Sequence, residues 1–448
     1  MGVEGESAMN VLQWGKSLPG RWVRAGRPYG TSLIKWCALG VAMGLLGGAV
    51  GSAFHHCVDE ATALRTAHPW LLAGLPLAGL AIVGLYALAG YRESHPGTNL
   101  VLEGARSGEP VPLRLAPLIF AGTALTHLCG GSSGREGAAL QLGGSMGSAL
   151  GKALHLNRED EQTMILTGMS AVFSALFGTP LAAAVFCIEV TDVGLLAEAS
   201  LLPCLVSALT AFWTAGRLAV APTRFAVTAP ALLQPQDAVR VLVLAIGCAL
   251  VSQLFCWAMH TAEHAYRRAL PNHALRTAAG GCLVILASLL LHAAGQGWAY
   301  NGAGVGVITA AVEQGTTPSA LAFVLKIALT ALTLGAGYKG GEIVPTFFVG
   351  ATFGCVIGPL LGLAPGFAAA VGMAACFCGV ANCPLASILL SMELFGGQGM
   401  PLFALAVAVS FLCSGRCSLY TAQRLAVRKT NEPVNRNMNQ TVEGMDDD

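Results

Sequence analysis

Arg135 and Glu136 lie in a glycine-rich segment, GGSSGREG at 130–137, between two apolar stretches. Glycines at the start of a helix leave backbone N–H groups accessible, and the helix dipole favours an anion there. A carboxylate at this point can occupy the anion site when ionised and leave it when protonated. Ionisable residues inside strongly apolar segments are costly and usually functional, so Glu136 is predicted to be a gate and proton carrier. The alternative is a helix-end charge that pairs with Arg135.

A second segment of the same type, GGEIVP at 340–345, again places glycines and N–H donors ahead of an apolar stretch. Its carboxylate, Glu342, has two interpretations that the sequence leaves equally open. It is either a second proton-handling group or a structural partner of Lys339.

The two segments belong to a longer internal duplication, in which matched residues recur after 204 or 207 positions. The matched pairs are Gly143 and Gly350, Gly147 and Gly354, Gly151 and Gly358, Pro180 and Pro384, and Glu189 and Glu393. Equivalent helix-end positions favour a structural role for Glu189 and Glu393. Glycine- and proline-broken apolar segments at corresponding places in two halves indicate a transport site between those halves.

Composition identifies the class of protein. Charged residues make up 11% of the 448 positions and apolar residues 54%, whereas soluble domains carry about 25% charged residues. Residues 343–392 contain no Asp, Glu, Lys or Arg, and about 20 apolar residues suffice to cross a bilayer. The sequence therefore predicts an all-α polytopic membrane protein with broken helices. A net charge of +1 argues against nucleic-acid binding.

Basic residues near both ends of the chain predict that both termini are cytoplasmic, in a protein of the cytoplasmic membrane. The predicted organisation is an N-terminal segment (1–32), a first transmembrane repeat (33–225), a second transmembrane repeat (226–422) and a C-terminal tail (423–448). The first apolar segment is predicted at about 33–54. The fourteen cysteines lie mostly in apolar segments, which suits packing better than a metal site or disulfides, and no cofactor is expected.

The quoted motifs resemble those of the CLC superfamily of anion channels and anion/proton exchangers, over roughly residues 33–429. GREG at 134–137, GGEIVP at 340–345, the two PLA-to-Glu segments and Leu419-Tyr420 carry the resemblance. It implies a homodimer whose subunits each contain two inverted-topology repeats and a separate pore. It further implies that Glu136 is the gating glutamate, and that amides near Glu342 and Ile343 and the Tyr420 hydroxyl line the central anion site.

Departures from the chloride-transporting members point to the fluoride-exporting branch. The stretch Gly97-Thr98-Asn99-Leu100-Val101 stands where chloride members have Gly-Ser-Gly-Ile-Pro. Val190 stands where chloride/proton exchangers usually have an inner glutamate, and Glu342 where chloride members usually have an apolar residue. One position, Val344, does not follow that branch, which often has Thr there. The residues predicted to contact the anion are Gly97, Thr98, Asn99, Gly134, Arg135, Ile343, Val344 and Tyr420.

These patterns predict proton-coupled fluoride export, in which protons entering through the protein drive fluoride out and Glu342 assists in place of the absent inner glutamate. A chloride/proton exchanger or chloride channel on the same fold is the alternative. A membrane enzyme is disfavoured, because the sequence shows no nucleophile–base pair or ligand cluster. A passive scaffold is disfavoured, because it would leave Arg135 and Glu136 without a purpose.

Overall fold

The structure, a computed structural model, describes residues 4–91, 97–228, 234–427, 429 and 436–437, with side chains from residue 30 to residue 429. Most of the predicted N-terminal segment's side chains and most of the predicted C-terminal tail therefore lie outside the described residues.

Helices account for most of the described chain, and a single three-stranded sheet of two-residue strands completes it. The sixteen α-helices in the described residues are α1 (Glu4–Ala67), α2 (Leu75–Leu88), α3 (Thr98–Ser107), α4 (Leu115–Leu128), α5 (Glu136–Ala153), α6 (Arg158–Phe177), α7 (Pro180–Glu189), α8 (Leu201–Arg217), α9 (Pro235–Ala269), α10 (His273–Leu291), α11 (Val305–Thr309), α12 (Ala322–Gly335), α13 (Ile343–Ile357), α14 (Pro365–Ala381), α15 (Pro384–Phe395) and α16 (Met400–Cys413). Short 3₁₀ segments occupy Pro69–Gly74, Glu198–Ser200 and Pro359–Leu361, and π-helical turns occupy His292–Gln296 and Ala310–Gln314. The strands are β1 (Asp192–Val193), β2 (Arg424–Leu425) and β3 (Arg436–Asn437), with β1 parallel and β3 antiparallel to the central β2.

Helix length divides the described elements into two groups. Six helical segments are long and apolar enough to cross a membrane, whereas α3, α7 and α11 contain ten residues or fewer. The first predicted segment, 33–54, is part of the much longer α1, which continues to Ala67 because no proline occurs between Pro28 and Pro69. The described chain thus combines long spans with short helices, as the prediction of broken helices requires.

The duplication in the sequence corresponds to two equivalent helix crossings. A Cβ atom at Gly143 of α5 would lie 2.1 Å from the Gly168 carbonyl oxygen of α6. In the second repeat, a Cβ at Gly350 of α13 would lie 2.3 Å from the Gly372 oxygen of α14. Both helix pairs therefore pack backbone against backbone, which only glycine permits at these positions.

Glu189 and Glu393 connect the repeats in a reciprocal way. The Glu189 carboxylate, at the end of α7, accepts hydrogen bonds from the Leu385 and Ala386 amides at the start of α15 (3.1 and 2.9 Å). Glu393, near the end of α15, accepts from the Leu181 and Ala182 amides at the start of α7 (3.0 and 2.8 Å). Each carboxylate thus satisfies free N–H groups of the other repeat. The helix-end role predicted for both residues is confirmed.

The glycine crossing leads to a testable expectation. Gly143→Ala should lower the apparent melting temperature of the detergent-purified protein, because a Cβ 2.1 Å from the Gly168 oxygen forces α5 and α6 apart. Overpacking of this kind costs about 1–3 kcal/mol or more. The matched control is Gly151→Ala on the same helix, where the nearest atom lies 3.4 Å from the new Cβ.

The control should be neutral or stabilising, since alanine is favoured over glycine within a helix by about 1 kcal/mol. Equal melting temperatures for the two variants would show that the α5–α6 crossing does not depend on backbone contact.

Candidate functional site: the anion pathway

The starts of α5 and α13 meet through a two-residue antiparallel bridge. The Gly134 amide donates to the Gly341 carbonyl oxygen at 2.7 Å, and the Gly341 amide donates to the Gly134 oxygen at 2.6 Å. A Cβ at Gly341 would lie 2.7 Å from the Glu136 amide nitrogen, so glycine is required for this approach. The bridge brings two helix N-termini together, and their amides make this a suitable place for an anion.

Glu136 places its carboxylate at this junction. The side chain is 3% exposed, and its Oε2 accepts a hydrogen bond from the Arg135 amide at 2.8 Å. Val344, in the first turn of α13, lies close to the carboxylate, since a Cβ at Gly134 would lie 2.4 Å from Glu136 Oε2 and 3.2 Å from Val344 Cβ. The carboxylate therefore lies where the amides of both repeats can bind an anion.

The Arg135 guanidinium forms a short ion pair with Asp59 and a longer one with this carboxylate, the pairing considered as the alternative from the sequence. Its Nη1 lies 2.5 Å from Asp59 Oδ1 on α1, whereas its Nε lies 3.9 Å from Glu136 Oε1. Asp59 also contacts His55 at 3.0 Å. The contact between Asp59 and Arg135 could not be predicted from the sequence, because 76 residues separate the two.

Two cavities approach the junction. A cavity of about 950 Å³, here the Glu136 cavity, is lined by Asp59, Arg65, His127, Arg135, Glu136 and Val344, among others. A second cavity of about 480 Å³, here the Glu342 cavity, is lined by Gly97, Thr98, Asn99, Gln141, Glu342 and Tyr420, among others. The predicted residues are thus divided between two openings, with Gly134 and the buried Ile343 between them.

Tyr420 and Asn99 lie on the wall of the Glu342 cavity. The Tyr420 hydroxyl is buried and has no hydrogen-bond partner among the described residues. Asn99 Oδ1 accepts from the Ala422 amide at 3.2 Å, which directs the oxygen to the protein and leaves the NH₂ donors available. Both side chains therefore offer N–H or O–H donors that the fold does not use.

Gln141 is a site residue that the sequence analysis missed. It lies on α5, is 4% exposed and donates from Nε2 to Thr98 Oγ1 at 3.2 Å. Thr98 Oγ1 is also 3.5 Å from the Gly137 oxygen. Gln141 thereby ties the start of α3 to α5. A polar amide one turn after Glu136 in an otherwise apolar helix was the available signal.

Glu342 occupies the N-cap position of α13. Its carbonyl oxygen accepts from the Thr346 amide and hydroxyl at 3.0 and 2.9 Å. In the part of the chain that the structure describes, no ion pair joins Glu342 to Lys339, and the Lys339 ammonium instead lies 4.5 Å from the Tyr86 ring centroid. The pairing of Glu342 with Lys339 is therefore not observed.

Comparison with known proteins identifies the family. The model of the voltage gated chloride channel (CLC) family matches residues 92–415. The chain belongs to this family. A "Chloride/fluoride channel protein" of Pseudomonas syringae pv. tomato is 36% identical over 408 residues, which cover 90% of this chain and 89% of the relative. The "H(+)/Cl(-) exchange transporter ClcA" of Vibrio cholerae is 27% identical, covering 80% of this chain and 81% of the relative.

Solved structures show the same fold. A CLC-type fluoride/proton antiporter matches with a TM-score of 0.83 and 33% identity, covering 87% of this chain and 98% of the other. A slow cyanobacterial Cl⁻/H⁺ antiporter matches with a TM-score of 0.71 and 19% identity, over 85% and 94% of the two chains. The protein is thus an integral membrane protein with the CLC fold, built from two inverted-topology repeats, and it belongs to a family of anion transporters and channels.

Two substitutions of Asn99 distinguish its two candidate roles. One role is to hold the Ala422 amide, and the other is to donate hydrogen bonds to an anion. Asn99→Ala removes both the acceptor for the Ala422 amide and the free N–H donors. Asn99→Asp keeps the acceptor but replaces the donors with a second oxygen. If the donors serve the anion, both variants should lower anion flux from liposomes by about tenfold, the effect of losing one charge-assisted hydrogen bond. Normal flux through Asn99→Asp would restrict Asn99 to holding the Ala422 amide.

Proposed function

We propose that this protein exports fluoride from the cytoplasm in exchange for protons. Two of the matches carry fluoride in their names, namely the 36% identical relative and the 33% identical solved antiporter. The Gly97-Thr98-Asn99 segment and Glu342, which depart from chloride-transporting members, both line the Glu342 cavity. These observations support fluoride as the substrate ahead of chloride.

The position of the Glu136 carboxylate explains how anion movement would be coupled to proton movement. When ionised, its carboxylate accepts from the Arg135 amide at the start of α5 and lies beside Val344 at the start of α13, and so occupies an anion position between the two helix starts. Protonation removes the charge that the helix starts stabilise. The neutral side chain can then move into the Glu136 cavity, whose volume is about 950 Å³, and an anion can take its place. Each exchange of carboxylate for anion therefore moves a proton with the side chain.

Fluoride makes particular demands on this site. It is small and strongly hydrated, so replacing its water shell requires close, strong donors. The Glu342 cavity offers the Asn99 amide and the Tyr420 hydroxyl, neither of which donates to another described residue. A protonated Glu136 adds a third O–H donor. Glu342, half-buried at the start of α13, would accept protons on the opposite side of the junction.

The orientation and assembly follow from the same proposal. Both termini are cytoplasmic, in a protein of the cytoplasmic membrane, so the Glu342 cavity faces the cytoplasm and the Glu136 cavity faces outward. The functional unit is a homodimer in which each subunit carries its own pathway, and fluoride, protons and membrane lipids are its partners.

Liposomes containing the purified protein test both substrate and coupling, with fluoride, chloride and internal pH followed separately. Wild-type protein should move fluoride in preference to chloride, with proton movement in the opposite direction. Glu136→Gln, which resembles the protonated side chain, should abolish the coupled proton movement. The matched control is Glu109→Gln at an exposed surface position, which should keep it.

Proton uptake against a gradient by Glu136→Gln, driven by the anion, would show that Glu136 is not the coupling group. Chloride movement that exceeds fluoride movement in wild-type liposomes would instead support a chloride/proton exchanger, the activity for which the 27% identical relative is named.

A further inference from the structure

Lys339 places an ammonium group in a largely buried position beside the Glu342 cavity. It lies between α12 and α13, is 9% exposed and lines the Glu342 cavity. Its aliphatic chain packs on Gly122 of α4, where a Cβ would lie 3.0 Å from Lys339 Cγ. Its ammonium lies 4.5 Å from the Tyr86 ring centroid. Packing therefore holds the side chain in place beside the cavity. Among the described residues its close attractive contact is the aromatic face of Tyr86, and Glu263 attracts the ammonium from beyond ion-pair distance.

The ammonium has no acceptor in the part of the chain that the structure describes. Glu342 and Glu263 line the same cavity, but neither forms an ion pair with it. Glu263 instead contacts Arg267 at 2.5 Å. The contrast is Lys326 of α12, whose fully buried ammonium donates to the Tyr300 and Gly302 oxygens at 3.0 and 2.6 Å. Lys326 is satisfied by the fold, whereas Lys339 keeps three donors unused.

An unpaired buried charge is costly, and such charges are normally paired or bind a ligand. The Glu342 cavity also presents two carboxylates, Glu263 and Glu342, to any anion that enters it. Arg267 offsets Glu263, but no described cation pairs with Glu342. An anion that approaches Asn99 and Tyr420 through this cavity must therefore pass a repulsive group.

We propose that Lys339 supplies the positive charge that draws the transported anion into the Glu342 cavity past Glu342. The ammonium binds a small, hydrated inorganic anion electrostatically and releases it toward Asn99, Tyr420 and the helix starts. The inference rests on anion transport through this cavity, whichever halide is carried. It assigns Lys339 a role in anion binding instead of a structural pairing with Glu342.

The test separates apparent affinity from turnover. Inverted membrane vesicles with an acidic lumen present the Glu342 cavity outward, and the initial rate of fluoride uptake is measured against external fluoride at constant ionic strength. Lys339→Gln should raise the half-saturating concentration about tenfold or more, as expected for lost electrostatic attraction, with little change in maximal rate. Lys339→Arg should stay within about twofold of wild type.

Lys152→Gln is the matched control, since it removes the same charge from an exposed position on α5 and should leave the half-saturating concentration unchanged. Wild-type uptake should also weaken with added salt of an impermeant anion, and Lys339→Gln should lose much of that dependence.

The outcomes separate this inference from the proposed function. An unchanged half-saturating concentration for Lys339→Gln, or an equal rise for Lys339→Arg, would overturn the role of Lys339 while fluoride transport stands. Wild-type vesicles that take up chloride but not fluoride would overturn the fluoride assignment, and the same titration with chloride would then test Lys339.

Discussion

The paired hydrogen bonds between Gly134 and Gly341 hold the structure together at its functional centre. They bring the starts of α5 and α13 into backbone contact, deep inside an apolar protein where water cannot satisfy every amide. Helix N-termini carry free N–H groups and a positive dipole end, so two of them at one point need a negative partner. The Glu136 carboxylate supplies it. In the proposed mechanism a transported anion replaces that carboxylate, because it meets the same requirement.

The two repeats use the same kinds of contact to pack their helices and to satisfy their helix-end amides. Glycine crossings join α5 to α6 and α13 to α14, and Glu189 and Glu393 each satisfy amides of the opposite repeat. The repeats differ at the junction itself. Glu136 turns back onto the helix starts and lines one cavity, whereas Glu342 lines the other. The corresponding helix starts of the two repeats therefore carry carboxylates that line different cavities.

The role of each buried cationic side chain in this fold depends on which oxygen atoms, if any, bind its charged group. Carbonyl oxygens of residues 300 and 302 bind Lys326, and the same loop reaches the glycine turn before Glu136, because the Gly302 amide donates to the Gly131 oxygen at 3.0 Å. Lys326 thus supports the position of Glu136. Arg135 forms its short ion pair with Asp59 and a longer one, at 3.9 Å, with Glu136. Lys339 has no such acceptor in the described chain, so its charge remains available to the cavity.

The sequence by itself determined the class of protein, the duplication, the helix-end role of Glu189 and Glu393, and the CLC fold. These follow from local composition and from residues that recur at fixed spacing, both of which are visible in one dimension. Only the tertiary structure decided which distant groups meet. Asp59 contacts Arg135, Gln141 supports Thr98, Ala422 fixes the orientation of Asn99, and Lys339 lies against Tyr86 instead of pairing with Glu342. Such contacts depend on the direction in which each side chain leaves its helix and on packing between elements far apart in the chain, which residue spacing does not encode.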